Sequence, residues 1–296
     1  MIVAVLMGGM SREREVSLAT GRACAAGLMK AGYEVVELDV DRRVAEHLAH
    51  LSPNVCFNAL HGPLGEDGSI QGMLNILGIP YTHSGVAASA LAMDKLRTKA
   101  VASALGFATP RGGRIGRRTF EATLPTSPYV LKPVADGSSI DTFVVRDPTK
   151  APFPTGCWPF SADPLLEDLV EGIEVTATVL GDRALTVTEI LPRSNFYDYA
   201  AKYTGGGSEH VLPARLPAAT FDLCLERSLA MHRAIGCRGI SRSDFIISAS
   251  TGEPIFLEIN TQPGMTPTSL APEQAAHVGI SFPELMHLLV EAASID

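Results

Sequence analysis

Apolar runs and amphipathic stretches alternate along the first part of the chain. Ile2 to Met7 is a continuous apolar run that stops at Gly8-Gly9, the pattern of a buried strand followed by a turn. Ser11 can cap a helix rich in alanine, leucine and glutamate that continues to about Lys30. Glu34 to Val40 then reads as a strand, Asp41 to Leu51 as a helix, Asn54 to Leu60 as a strand, Gly68 to Leu77 as a helix and Ile79 to Thr82 as a short strand. Such alternation implies a parallel sheet flanked by helices over roughly residues 1–83. In sheets of this kind ligands gather beyond the strand C-termini, which is where Gly8-Gly9, His61 and Gly62 fall.

The character changes after a helix predicted over Ala87 to Leu105, which ends at Gly106 with Pro110 beyond. Strand-like pieces at Tyr129 to Val134 and Thr142 to Arg146 bracket the small-residue loop Ala135-Asp136-Gly137-Ser138-Ser139. Pro148 to Pro164 is proline-rich and poor in helix signals. Glu174 to Leu180 and Ala184 to Leu191 read as a hairpin around Gly181-Asp182, Thr204 to Ser208 as a glycine loop, Phe221 to Ile235 as a helix, and Phe282 to Ala293 as a closing helix.

The sharpest pattern lies near the end. Arg242, Asp244, Glu258 and Asn260 sit at i, i+2 spacing in two strand-like runs joined by the turn-rich stretch Ser248 to Pro254. Side chains two apart share a strand face. A hairpin symmetric about Thr251 would set Asp244 opposite Glu258 and Arg242 opposite Asn260. Two carboxylates and an amide oxygen are hard ligands that suit Mg²⁺, and the arginine beside them suits an anion or a developing negative charge. The same spacing is also that of a charged, solvated hairpin face.

Composition bounds the class. The chain has 296 residues, 46% of them hydrophobic, and a net charge of −8, which is enough for two or three domains and carries no nucleic-acid footprint. No run of about 20 apolar residues predicts a membrane span. Five scattered cysteines without a CxxC pair read as reduced thiols of a cytoplasmic protein.

Lys132 stands in an apolar strand five residues before Gly137, where an ammonium is costly unless an anion meets it. A nucleotide phosphate is one partner and solvent at a sheet edge is the other. No P-loop and no Rossmann spacing occurs. Glu13, Glu15 and Ser17 on the first helix, and His61 to Gly68 after the third strand, read either as dipole partners and a turn, or as a grip on a substrate ammonium.

These motifs resemble the D-alanine–D-alanine ligases of the ATP-grasp superfamily. The resemblance rests on Gly8 to Leu18 (GGMSREREVSL), His61 to Gly72 (HGPLGEDGSIQG), the stretch SALAMDKLRTK ending at Lys99, Val130 to Ser139, Phe196 to Tyr203 (FYDYAAKY), Gly236 to Asp244 and Leu257 to Leu270 (LEINTQPGMTPTSL). It implies an α/β (α+β overall) fold: an N-terminal parallel α/β substrate domain (1–83), then an ATP-grasp fold of two α+β subdomains, central (84–166) and C-terminal (167–296). It implies ATP-driven joining of two D-alanines through an acylphosphate, for peptidoglycan precursor synthesis.

By the same resemblance Lys95 and Lys132 would hold ATP phosphates, and Glu167 and Glu174 the adenine and ribose side. Asp244, Glu258 and Asn260 would bind two Mg²⁺, with Mn²⁺ an acceptable substitute. Glu13 would bind the first ammonium and join Ser138 and Tyr203 in a link that closes the active-site loop. Arg242 and the Gly264 amide would stabilise the oxyanion, while Lys202, Ser269 and the Leu270 amide would meet the second carboxylate near His61. Tyr203 favours an amine over D-lactate as nucleophile. A homodimer is implied, without nucleic-acid or membrane partners.

Three positions depart from the family pattern: Asp141 stands where glycine is usual, the proline-rich 151–159 segment replaces a helix, and Gln262 replaces a smaller residue. An added carboxylate near ATP phosphates would repel them. These departures motivate two alternatives, a ligase with D-serine or D-lactate as second substrate and a catalytically impaired nucleotide-binding homologue.

Overall fold

The computed structural model describes residues 1–137, 140–150, 152–153, 157–192 and 208–296. Its first sheet is parallel, in the order β2-β1-β3, and is built from β1 (Ile2–Met7), β2 (Glu34–Asp39) and β3 (Val55–Asn58). The helices α1 (Arg14–Lys30), α2 (Val44–Leu51) and α3 (Ser69–Leu77) alternate with the strands as expected. The central strand is apolar throughout because both its faces are covered. Val3 and Val5 pack with Cys24, Ala25 and Leu28 of α1, while Ala4 and Leu6 pack with Leu48 of α2 and Leu74 of α3.

Two sequence expectations shift here. Ile79 to Thr82 is not a full strand: fully buried Tyr81 makes one parallel bridge to Cys56 and one antiparallel bridge to Ser294. Ser11 does not cap α1 from its N-cap position. Its hydroxyl instead donates to the His61 carbonyl at 2.6 Å and accepts from the Glu13 amide, tying the two loops at the sheet mouth together.

The single helix expected over 87–105 is two, α4 (Val86–Met93) and α5 (Lys95–Ala104). Asp94 breaks it. Its backbone is extended, and its carboxylate accepts from the Leu96 and Arg97 amides, so it caps α5 rather than continuing α4. The break leaves Lys95 at the first position of α5.

A four-stranded antiparallel sheet follows, in the order β4-β7-β5-β6 (Gly112–Arg114, Leu165–Asp168, Tyr129–Lys132, Phe143–Val145). Two of its strands, β4 and β7, and the short helix α6 (Arg117–Ala122) carried no clear sequence signal. Among the described residues the proline-rich stretch holds no helix. Phe120, Tyr129, Phe143, Phe153, Trp158 and Phe160 gather in its place as a cluster of mostly edge-on rings, with Trp158 and Phe160 centroids 5.4 Å apart.

The third sheet is antiparallel, in the order β10-β9-β8-β11-β12 (Ser208–Val211, Arg183–Pro192, Gly172–Leu180, Ile240–Ser248, Pro254–Asn260). Helix α7 (Ala218–Ile235) covers one face through Cys224, Met231 and Ile235. Where β9 carries an extra residue opposite Thr178 of β8, the buried side chain of Gln274, from α8 (Leu270–His277), accepts from the Thr178 amide at 2.8 Å and donates to the Thr176 carbonyl. A side-chain amide thus replaces the missing strand partner.

The β11–β12 register is as expected at one end only. Arg242 pairs with Asn260 and Asp244 with Glu258, but Phe245 pairs with Phe256, leaving Leu257 as an extra residue in a bulge. Strict alternation would put Glu258 and Asn260 on the same face as Phe256. The bulge reverses the phase, so Phe256 and Ile259 join the apolar core while Glu258 faces the cleft.

The last helix, α9 (Phe282–Glu291), returns to the first sheet, where Leu285, Met286, Leu289 and Val290 complete the cluster formed by Val3, Val5 and Leu28. Arg238 locks this return. Its guanidinium donates to the His83 and Ser294 carbonyls, pairs with Asp296 and lies 5.0 Å over the Tyr81 ring. Arg238→Ala should therefore cost about 2–3 kcal/mol, lowering the melting temperature by roughly 5 °C, as thermal unfolding would read out.

Candidate active site

Two adjoining clefts open where the three sheets meet. The larger, about 320 Å³, lies between the four- and five-stranded sheets and is lined by Lys95, Lys132, Glu167, Glu174, Asp244 and Glu258 together with Val130, Ile140, Ile173 and Leu257. The smaller is lined by Glu13, His61, Glu66, Arg242, Asn260 and Gly264. Lys95, Asp136, Gly137 and Glu258 line both. That shared wall is where a group could pass from a molecule in one cleft to a molecule in the other.

Charge along the wall is balanced locally. Arg242 grips Asp244 with two hydrogen bonds, Nε to Oδ1 at 2.8 Å and Nη2 to Oδ2 at 2.7 Å, as their i, i+2 spacing permits. Thr176 on the neighbouring strand donates to the same Oδ1 at 2.7 Å. Lys95, raised at the start of α5, donates to the Asp136 carbonyl at 2.7 Å and stands 3.4 Å from Glu258. Lys132 lies 2.8 Å from Glu167 Oε2.

The donors fit a hard divalent cation by type. Asp244, Glu258 and Asn260 offer two carboxylates and an amide oxygen on one hairpin face. Among the described residues no trio of His, Cys, Asp or Glu gathers to hold a metal ion, at this hairpin or elsewhere, so the fit rests on the types of these donors. Asn260 is oriented by its own oxygen, which accepts from the Gln262 amide at 2.7 Å.

Gln262 explains its departure from a smaller residue. Its side chain accepts from Asn58 Nδ2 at 2.7 Å and donates to the Leu60 carbonyl, so it binds the hairpin to the C-terminal end of β3. Glu13 is buried beside the loop turns, and a methyl group at Gly62 (φ +72°) would stand 2.5 Å from its Oε2. Only glycine permits that approach. His61 is held on both ring nitrogens, by Glu66 at 2.9 Å and Thr20 at 3.0 Å.

Other expected residues lie near the site or beyond view. Ser269 is at the start of α8, its hydroxyl bonded to Thr266 and next to Gly264. Leu270 is buried against Ile190, outside both clefts. Ser138, Lys202 and Tyr203 lie outside the described residues, as do the whole FYDYAAKY segment and residues 204–207.

Sequence reasoning missed Lys99, which is buried and contacts Glu167 and the Pro110 carbonyl. Burial pulls its ammonium below the usual lysine range, while Glu167 pulls it back up. The available signal was its i+4 spacing from Lys95 on one helix face. All five cysteines are free, three of them buried, and burial raises the Cys56 and Cys224 thiols to about 12.

Asp141 adopts φ +53°, the left-handed region that favours the glycine usual there. Its carboxylate does not point unopposed at the small-residue loop: Arg12, on the first loop, meets it at 2.8 Å. The expected repulsion is thereby offset by a cation supplied from the other side of the site.

Comparison with known proteins agrees with this arrangement. Residues 41–84 match the family model described as D-ala D-ala ligase N-terminus, and residues 118–291 the model described as D-ala D-ala ligase C-terminus. A D-alanine–D-alanine ligase from Xanthobacter autotrophicus is 52% identical over 99% of this chain and 98% of its own. This chain belongs to the D-alanine–D-alanine ligase family. Another family member, from Brucella anthropi, is 52% identical over 99% of this chain and 97% of its own. Among solved structures, the Bacillus anthracis D-alanine–D-alanine ligase complexed with ATP superposes with a TM-score of 0.81 at 28% identity, covering 99% of this chain and 97% of that one. A D-Ala:D-Ser ligase from Enterococcus faecalis gives 0.78 at 28% identity over 98% of both chains.

Removing the cation that faces Asp141 exposes its charge to the loop. Arg12→Ala should weaken MgATP binding about two- to fivefold, and Arg12→Ala/Asp141→Gly should restore it, as titration calorimetry would show. Equal affinities in all three chains would show that the pair has no bearing on the nucleotide.

Proposed function

We propose that this ligase joins two D-alanines into D-alanyl-D-alanine at the expense of ATP. The observation that carries the reading is the shared wall of Lys95, Asp136, Gly137 and Glu258 between a large cleft suited to a nucleotide and a small one suited to amino acids. Reaction occurs in two steps. The carboxylate of the first D-alanine takes the γ-phosphoryl group, releasing ADP. The amine of the second attacks the resulting acylphosphate, expels inorganic phosphate and loses a proton as the peptide bond forms.

The roles follow from the family resemblance, and the cleft positions of several described residues support them. Lys95 and Lys132 meet the nucleotide phosphates, with Glu167 and Glu174 toward adenine and ribose. Asp244, Glu258 and Asn260 would hold Mg²⁺, two ions by the resemblance, which supply neutralisation of phosphate charge. Glu13, buried at the smaller cleft, receives the first ammonium, and with Ser138 and Tyr203 closes the site. Since both ring nitrogens of His61 are engaged, that side chain walls the second subsite rather than donating to substrate. By the resemblance Lys202, Ser269 and the Leu270 amide would take the second carboxylate, Ser269 standing next to Gly264 of the smaller cleft although the Leu270 side chain is buried outside it.

Arg242 and Gly264 line the smaller cleft, which supports their part in stabilising, through the guanidinium and the Gly264 amide, the oxyanion that forms during attack. Tyr203 in the sequence supports an amine nucleophile. The family resemblance supports a cytoplasmic homodimer acting in peptidoglycan precursor synthesis. No helix of the described residues is long and apolar enough to cross a membrane.

Phosphate release from MgATP with D-alanine, L-alanine, D-serine and D-lactate supplied separately, with mass detection of the product, tests the reading. Release with D-alanine alone, giving D-alanyl-D-alanine, is expected; a D-serine product would move the chain toward the D-Ala:D-Ser ligases, and no product despite ATP binding would mark it as impaired. Arg242→Ala should retain nucleotide binding while turnover falls at least ~100-fold. Undiminished turnover would remove Arg242 from the mechanism. Glu258→Gln should be nearly inactive at ordinary Mg²⁺, and full activity there would sink the metal assignment.

A further inference from the structure

Glu167 is 3% exposed and carries an ammonium on each oxygen: Lys132 at 2.8 Å on Oε2 and Lys99 on Oε1. The two lysines differ in outlook. Lys132 and Glu167 line the larger cleft, whereas Lys99 stands behind them, its Nζ also donating to the Pro110 carbonyl at 2.5 Å. A residue that touches no ligand surface yet keeps a buried charge needs a reason. Stability alone is a poor one, since a buried ion pair costs desolvation that an apolar side chain of similar size avoids.

The charge count supplies the reason. Two ammoniums around one carboxylate leave a net charge of +1, and it is presented to the cleft by Lys132. Without Lys99 the count falls to zero, and Lys132 becomes the sole counter-ion of a carboxylate that cannot reach water. It would then be held to Glu167 by an attraction strengthened by the low local dielectric, at the expense of an incoming phosphate. We infer that Lys99 is a positioning residue: by neutralising Glu167 from behind, it keeps the charge of Lys132 available to nucleotide phosphate. The inference rests on the reading of the larger cleft as the ATP site.

The test compares MgATP with adenosine, which has no phosphate, in equilibrium competition binding to wild-type, Lys99→Gln, Lys99→Arg and Lys99→Gln/Glu167→Gln chains. Lys99→Gln should weaken MgATP about tenfold and adenosine less than about twofold, while Lys99→Arg stays near wild type. The double variant decides the matter, because removing both charges returns the count to +1. It should recover most of the MgATP affinity lost in the single variant, and its adenosine affinity reports any damage to base recognition. Equal weakening of both ligands in Lys99→Gln, or a double variant no better than the single one, would overturn the role and leave Lys99 a structural residue. If Lys99→Gln does not fold, the recovery or loss of binding in the double variant relative to wild type still decides. A wild-type chain that binds adenosine but not MgATP would refute the ATP reading itself.

Discussion

One extra residue in one strand sets the whole site. Phe256 must face inward to pack against Phe245, with ring centroids 5.7 Å apart, and Glu258 must face outward to meet Asp244. These demands conflict in a regular strand, since the two positions share a face. The bulge at Leu257 resolves the conflict, and it also turns Leu257 itself toward the larger cleft. Core and chemistry therefore occupy opposite faces of a hairpin whose sequence alone would mix them.

The electrostatics have a common form. Three acids of the clefts are already matched with a cation: Asp244 with Arg242, Glu258 with Lys95, Glu167 with Lys132 and Lys99. A bound nucleotide and its metal would redistribute these pairings rather than bring charge into an unprepared cavity. These three carboxylates are thereby opposed by a cation where they are desolvated, and leaving one unpaired would cost far more than the exchange.

Much of this was legible in the sequence because its signals were local. The apolar run Ile2 to Met7, flanked by an amphipathic helix, announced a strand buried on both faces, and the i, i+2 spacing of Arg242 and Asp244 announced their shared face. The hairpin register was correct at Asp244 and Glu258, although the turn end is displaced by one because a bulge leaves no mark in composition. What stayed hidden depended on distant partners. Asp94 looked like one more helical residue until its side chain was seen capping α5. Asp141 looked disruptive because nothing in its neighbourhood revealed Arg12, 129 positions away. Lys99 gave its i+4 spacing but not the carboxylate that it serves, and Gln262 gave no hint of Asn58.

The path of α9 has a consequence for how the chain is made. Val3 and Val5 on β1 and Leu28 on α1 border a space that is filled by Leu285, Met286 and Leu289. Those partners lie far along the chain, so the cluster that begins at Val3 and Val5 is completed only once α9 has been made. Maturation of the N-terminal unit therefore includes a step that an autonomous early folder would not need. Its closure comes from contacts of very long sequence separation, the type that slows folding and lengthens exposure to aggregation. A ribosome-bound chain short of residue 282 would lack that last packing and expose the apolar residues it covers.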